Sequence, residues 1–333
     1  MLRLRHITAL SWAALLTVFC MPLFLITPEG EQTAAESVPV LPIDRTVTTP
    51  SARDKGRRVL LLHADGTVEE TNMEDYLCSV VAAEMPASFE PEALKAQAIA
   101  ARTYTLRLQS AGGKHENADV CTDSTCCQAW IDPADAALKW GLSAGEYGDK
   151  IAAAVRGTDG LGVVYGGEPI QAVFFSSAPG KTSGAETVWG TQVDYLKSVD
   201  SPEGEEVPNY RTTVTLTATQ VKTALRTLCP GADLDGRPES WLTGFVREES
   251  GAVASLSVGG VETTGNAVRG ALGLRSPAFT VRTDGESFVF EVTGYGHGVG
   301  MSQYGANEMA RQGADCRTIL EWYYSGATVE EVY

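Results

Sequence analysis

Between Asn72 and Gly113 the chain carries two helical patterns back to back, and Pro86 and Pro91 fix where one stops and the next starts. In "NMEDYLCSVVAAEMP" (72–86), Asn72 suits an N-cap and Glu74 and Asp75 fall in the first turn, where the helix dipole favours acids. Pro86 drives the residue before it out of the α region. Leu77, Val80 and Val81 form an i, i+3, i+4 stripe, and its next member is Glu84. A carboxylate thus falls on the buried face at the C-terminal end, where lost hydration and the negative end of the dipole both oppose ionisation. An acid kept protonated near neutral pH is ready to donate a proton. The alternative is an internal ion pair with Arg102 of the following helix.

That helix, "PEALKAQAIAARTYTLRLQSAGG" (91–113), has Pro91 at its first position and Gly112-Gly113 at its end. Leu94, Ala98, Ala101, Thr105 and Leu108 make a narrow seam, and its alanines allow close approach of a neighbour, most directly the Glu84 helix. Ahead of the pair, "RVLLLHADGTVEETN" reads as two strands around the turn Asp65-Gly66.

The N-terminus sets the compartment. Ile7 to Ile26 is twenty residues without a charge, after Arg3 and Arg5 and before Glu29, Glu31 and Glu36. Such a run spans a bilayer, with the arginines cytoplasmic. The competing reading, a cleaved signal peptide, fits less well, because the run is long and Thr33-Ala34-Ala35 is a weak cleavage site. We expect an anchor over 1–28, a proline-rich linker over 29–57, and an extracytoplasmic domain over 58–333. The protein is then a single-pass protein of the cell membrane. With 42 acidic against 26 basic residues and a net charge of -16, nucleic acid is excluded as a natural partner, since phosphate contacts need a basic face.

"HENADVCTDSTCCQAW" brings His115, Cys121, Cys126 and Cys127 within thirteen residues. Four such donors suit a tetrahedral, structural Zn²⁺. The spacing is not that of a zinc finger, and Cys121 pairing with Cys126 or Cys127 in a disulfide is the alternative outside the cytoplasm. Cys78, Cys229 and Cys316 read as small buried hydrophobes.

Two glycine-rich loops follow strand-like runs. "SSAPGKT" (176–182) ends like a nucleotide loop but has Phe175 where that motif needs glycine. "GYGHGVGMSQYGA" (294–306) has neither the lysine nor the acidic partner of a nucleotide site. Uncharged polar groups on such loops suit a neutral ligand rich in hydroxyls and amides, which makes Ser176, Ser177, Lys181, His297, Ser302, Gln303 and Tyr304 candidate contacts. Tight strand–helix packing is the bland reading of the same glycines.

Together "EDYLCSVVAAEMP", "EALKAQAIAARTY", "VCTDSTCCQAW", "DYLKSVDSP", "RGALGLRSPAFTV" and "GHGVGMSQYGA" resemble the stage II sporulation protein D family over about residues 58–333. The resemblance implies a membrane-anchored lytic transglycosylase that cuts peptidoglycan glycan strands between MurNAc and GlcNAc during engulfment in endospore formers. It places the catalytic glutamate at Glu84, adds Arg102 and Tyr104 to the glycan contacts, and implies zinc at the His/Cys set, with Cys126 where relatives often carry His. It also implies a sporulation amidase and a polytopic membrane protein as partners. "SSAPGKT" departs from the family's "CGGKT"-like run. The chemistry agrees with a single acid: a hydrolase usually needs two carboxylates, whereas attack by the sugar's own C6 hydroxyl needs one. No second carboxylate is as oddly placed in the sequence as Glu84. The rivals are a muramidase and a non-catalytic wall-binding module that stimulates an amidase.

The expected class is α+β, with the early helix pair beside mixed strands. Residues 205–292 read as mostly strand with one helix near 217–228. Two helices follow at the C-terminus, the first closed by Gly313 and the second capped by Asp315.

Overall fold

The computed structural model describes residues 52–333, so the expected anchor over 1–28 and nearly all of the expected linker lie outside the described residues. Among the described residues no helix is long and apolar enough to cross a membrane. The folded body starts before Arg58. A one-turn helix, α1 (Arg53–Gly56), carries Asp54 into the interior, so the end of the expected linker belongs to the fold.

The hairpin forms as expected from β1 (Arg58–Leu62) and β2 (Val68–Asn72), with Gly66 at φ 86° in the turn. α2 (Met73–Glu84) follows at once, its Asp75 N–H donating to Asn72 Oδ1 at 3.0 Å. α3 (Pro91–Ser110) is buried far more widely than a seam: Ala93, Ala96, Ala98, Ile99, Ala100 and Ala101 are all inaccessible. The expectation of one narrow contact face is corrected by its position, since α3 runs through the middle of the core. Its alanines, whose side chains are single methyl groups, let neighbours approach it from several sides.

β3 (Val120–Cys121) extends the hairpin as a parallel strand beside β1. α4 (Pro133–Trp140) and α5 (Ala144–Arg156) then lead to β4 (Leu161–Tyr165), β5 (Glu168–Pro169), β6 (Phe174–Phe175) and α6 (Ala185–Trp189). Residues 211–293 build a second core. β7 (Arg211–Thr217), α7 (Ala218–Leu228), β8 (Leu242–Arg247), β9 (Val253–Val258), β10 (Val261–Thr264), α8 (Gly265–Leu272), β11 (Phe279–Thr283) and β12 (Ser287–Thr293) form two antiparallel sheets ordered β10-β9-β8 and β11-β12-β7. Val221, Leu225, Trp241, Phe279, Phe288 and Phe290 fill the space between them and the helices. One helix was expected here; α8 is the second, capped by Thr264 Oγ1 on the Ala267 N–H and hidden in the sequence behind Gly265 and Gly270.

The chain then returns to the first core with β13 (Met301–Ser302), parallel to β6, and with α9 (Gln303–Arg311), α10 (Cys316–Tyr323) and β14 (Thr328–Glu331), the last antiparallel to β4. Gly313 takes φ 97° after α9, and Asp315 caps α10 through the Thr318 N–H at 2.8 Å, as expected. Around α3 now lie α2, α5, α9, α10 and β4. The class is α+β.

Candidate active site

Glu84 is the last residue of α2, and Leu77, Val80 and Val81 of its stripe are fully buried. Its own side chain is half-buried. Oε1 accepts the Ala129 N–H at 2.7 Å and Oε2 accepts Gln303 Nε2–H at 3.0 Å. Burial pushes the carboxyl above the ordinary glutamate value, while those two hydrogen bonds pull the other way. Among the described residues no charged side chain enters the balance.

The ion-pair alternative fails, because Arg102 is committed elsewhere. Its side chain is inaccessible, with Nε on Asp54 Oδ1 at 2.9 Å and Nη2 on Asp54 Oδ2 at 2.5 Å, and Nη1 donates to the Leu161 carbonyl at 3.0 Å. The same geometry corrects Arg102 as a glycan contact: no ligand can reach it. Tyr104 points to the His/Cys cluster, with its hydroxyl beside Cys127. The Lys181 ammonium lies 2.8 Å from Glu249 and 3.3 Å from Asp200, so it ties the second core to the first.

The glycine-rich loop holds the protein's own chain. A Cβ on Gly300 would lie 2.1 Å from the Val173 carbonyl, one on Gly296 2.6 Å from Phe175, and one on Gly294 2.7 Å from the Ser177 carbonyl. The glycines therefore admit the 173–177 segment, as the packing reading of the sequence has it. Ser177 is buried and exchanges two backbone hydrogen bonds with Tyr295. The Ser176 carbonyl accepts from the Tyr304 N–H at 3.0 Å and from Ser302 Oγ at 3.3 Å. His297 donates from Nε2 to the Phe174 carbonyl and accepts the Val299 N–H at Nδ1, each at 3.1 Å. With both ring nitrogens engaged and its burial depressing its pKa to about 4, His297 is a neutral structural hydrogen-bonder, which corrects its role as a sugar contact. Ser302 is likewise inaccessible, as the N-cap of α9. Tyr304 is half-buried, its ring edge-on to Phe89 at 4.9 Å. Gln303 alone of the loop candidates touches Glu84 in the described residues.

A second odd carboxylate does exist. Glu203 is buried, accepts the Ala178 N–H at Oε1 and Ser201 Oγ–H at Oε2, both at 2.6 Å, and also accepts from Ser302 Oγ. Burial raises its pKa too. Adjacent residues at the start of α9 thus reach two carboxyl groups: Ser302 reaches Glu203 and Gln303 reaches Glu84. Its donors, Ala178, Ser201 and Ser302, come from three separate segments, so Glu203 anchors the loops to one another. Nothing flagged it in "SPEGEE", which reads as a solvated acidic run.

His115, Cys121, Cys126 and Cys127 place one ligand atom each within 4.8 Å of one another. His115 Nε2 lies 3.8 Å from Cys126 Sγ and 3.7 Å from Cys127 Sγ, and the two sulfurs are 4.0 Å apart. A tetrahedron with metal–ligand bonds of about 2.0–2.3 Å has edges of roughly 3.3–3.8 Å, close to the spacings among His115, Cys126 and Cys127, with Cys121 inside the same cluster. Adjacent cysteines share it because both their N–H groups turn onto the Asp123 carbonyl. All six cysteines of the described residues are free thiols, against the disulfide alternative.

The family model for Stage II sporulation protein matches residues 63–165. The Stage II sporulation protein D of Bacillus subtilis is 35% identical over 340 residues, covering 96% of each chain. This chain belongs to the stage II sporulation protein D family. The protein of that name from Bacillus amyloliquefaciens is 37% identical over 80% of this chain and 76% of its own. A Bacillus subtilis protein named Amidase enhancer is 26% identical over 76% of this chain and 40% of its own. The stretch matched by the stage II sporulation protein model contains Glu84, Ala129 and the His/Cys cluster, whereas Gln303 reaches the site from beyond it.

Proposed function

We propose that this chain is a peptidoglycan lytic transglycosylase that cuts glycan strands between MurNAc and GlcNAc in engulfment, with Glu84 as its one acid–base group. The observation that carries the reading is the Glu84 carboxyl: half-buried, raised by burial, and held by one backbone and one side-chain N–H with no cation to keep it ionised. Its proton goes to the glycosidic oxygen as the bond from the anomeric carbon breaks. The C6 hydroxyl oxygen of the same sugar bonds to that carbon, and its proton returns to the carboxylate. Atoms balance with no water consumed, and Glu84 ends as it began. Glu203, held by three protein donors, is not needed for this step. The anchor at 7–26, an extracytoplasmic location, and an amidase and a polytopic membrane protein as partners complete the proposal. Mass spectrometry of products from purified cell-wall glycan tests it. We expect 1,6-anhydro ends; reducing ends would make the enzyme a muramidase. The likeness to Amidase enhancer favours a second reading, a wall-binding module that stimulates an amidase. Glycan bound without any cleavage would establish that one instead.

In this reading His115, Cys121, Cys126 and Cys127 hold a Zn²⁺ whose four protein ligands leave it a structural part. Cys127 lies two residues before Ala129, so the cluster fixes the segment that donates to Glu84. Metal analysis should find about one zinc per chain. Chelation should lower the melting temperature, with activity falling as the Ala129 segment loosens. Metal-free protein with unchanged melting would leave the cluster as four free side chains.

A further inference from the structure

Gln97, on α3, is completely buried, and its Nε2 has no hydrogen-bond partner. Its Oε1 lies 3.5 Å from Gln303 Nε2, the same nitrogen that donates to Glu84 Oε2. A buried amide with an unpaired NH₂ is costly, and native folds rarely leave such donors orphaned, whereas an under-satisfied carbonyl oxygen is tolerated more often. This orientation is the one an ionised Glu84 demands, because a carboxylate can only accept. When Glu84 carries a proton, its O–H must donate. Gln303 can turn its amide to present oxygen, and Gln97 can turn likewise so that its Nε2 donates to that oxygen. Neither turn moves the backbone. The buried position then holds a carbonyl oxygen in place of an unpaired NH₂.

We propose that Gln97 is a positioning residue for Glu84, forming with Gln303 an amide pair that reverses when Glu84 takes up a proton and thereby holds the acid in its proton-donating form. The inference rests on Glu84 as the acid. The influences on that carboxyl are burial, the Ala129 N–H and the Gln303 amide, with no charged side chain among them. On the elements that supply its hydrogen bonds, the titratable groups next along the chain are Tyr304 after Gln303 on α9, and Cys126 and Cys127 ahead of Ala129. Glu90 caps α3, which carries Glu92, Lys95, Tyr104 and the Asp54-paired Arg102, and α2 carries Glu74, Asp75, Tyr76 and Cys78 ahead of Glu84; none of these is among the influences on the Glu84 carboxyl.

The test reads Glu84 directly, by the infrared carboxyl C=O band that disappears in Glu84→Gln, titrated in wild type, Gln97→Met and Gln97→Glu. Methionine keeps the volume and removes the amide, so the ionised state is no longer penalised. At a pH above the wild-type midpoint the protonated fraction of Glu84 should fall about tenfold, the scale of one buried unpaired donor. The alkaline limb of the activity profile should move down with it, while the acid-side plateau stays. Gln97→Glu places a second carboxyl against the Gln303 amide that also holds Glu84, and should move the band midpoint the opposite way. Unshifted midpoints in both variants, or an equal loss of activity at all pH values with the band unmoved, would overturn the proposal and leave Gln97 a packing residue. The band is independent of turnover, so full activity of Glu84→Gln would refute the acid role separately.

Discussion

Glu84→Gln reduces glycan cleavage by about 10²–10⁴-fold, the range a positioned acid–base group contributes, while the fold survives and gains stability near neutral pH. The sign follows from burial, which raises the Glu84 carboxyl above the ordinary glutamate value. Between the ordinary and the raised value the folded chain keeps a proton that the unfolded chain has released. The contribution of this group to stability is therefore present at low pH and lost as pH rises through that window. An amide of the same shape is neutral throughout. Its oxygen can accept the Ala129 N–H, and its NH₂ meets the Gln303 amide turned to present oxygen, the arrangement of the protonated acid. Denaturant melts across pH should show the variant level with wild type below the window and more stable above it. Unaltered turnover would remove Glu84 as the acid. A variant less stable at neutral pH would mean that the ionised carboxylate is what the fold requires.

How much of this was legible in the sequence depends on the distance over which each signal acts. The Asn72 cap, the Pro86 stop and the Leu77 stripe are local, so α2 and the buried face of Glu84 could be read directly. The partner Gln303 could not be paired with it, because 219 residues separate the two and no pattern links them. Gln97 sits three positions after Leu94, on the edge of the α3 seam, and that spacing was the available hint. The glycines at 294–300 announced that a Cβ is excluded but not what excludes it; a ligand and the 173–177 backbone leave the same mark in sequence. Glu203 was illegible because an acidic run normally faces water, and only the return of Ser302 encloses it. Arg102 was misplaced for a related reason: its partner Asp54 sits in a stretch whose composition resembles a linker.

Asp54→Ala should cost about 3–5 kcal/mol, because it strands a buried guanidinium. The Asp54 and Arg102 side chains are 1% and 0% exposed, so no water can take the place of the lost carboxylate without opening the core. Asp54 also accepts from the Tyr333 hydroxyl and from the Gly160 N–H at 3.4 Å, which ties α1, α3 and the C-terminus to one carboxylate. For a body of this size the loss lowers the melting temperature by about 10 °C. Removing both charges in Asp54→Ala/Arg102→Met should recover a good part of it, since the penalty in the single variant is mainly the unpaired charge. A single variant within about 1 kcal/mol of wild type would show that another group reaches the guanidinium. Cleavage per folded molecule decides between the two roles of Arg102. As the partner of Asp54 it affects only how much protein is folded, so Arg102→Met should keep its turnover and its glycan affinity at temperatures well below its melt. A variant that melted normally but no longer bound glycan would return Arg102 to the cleft and undo the assignment made from its burial.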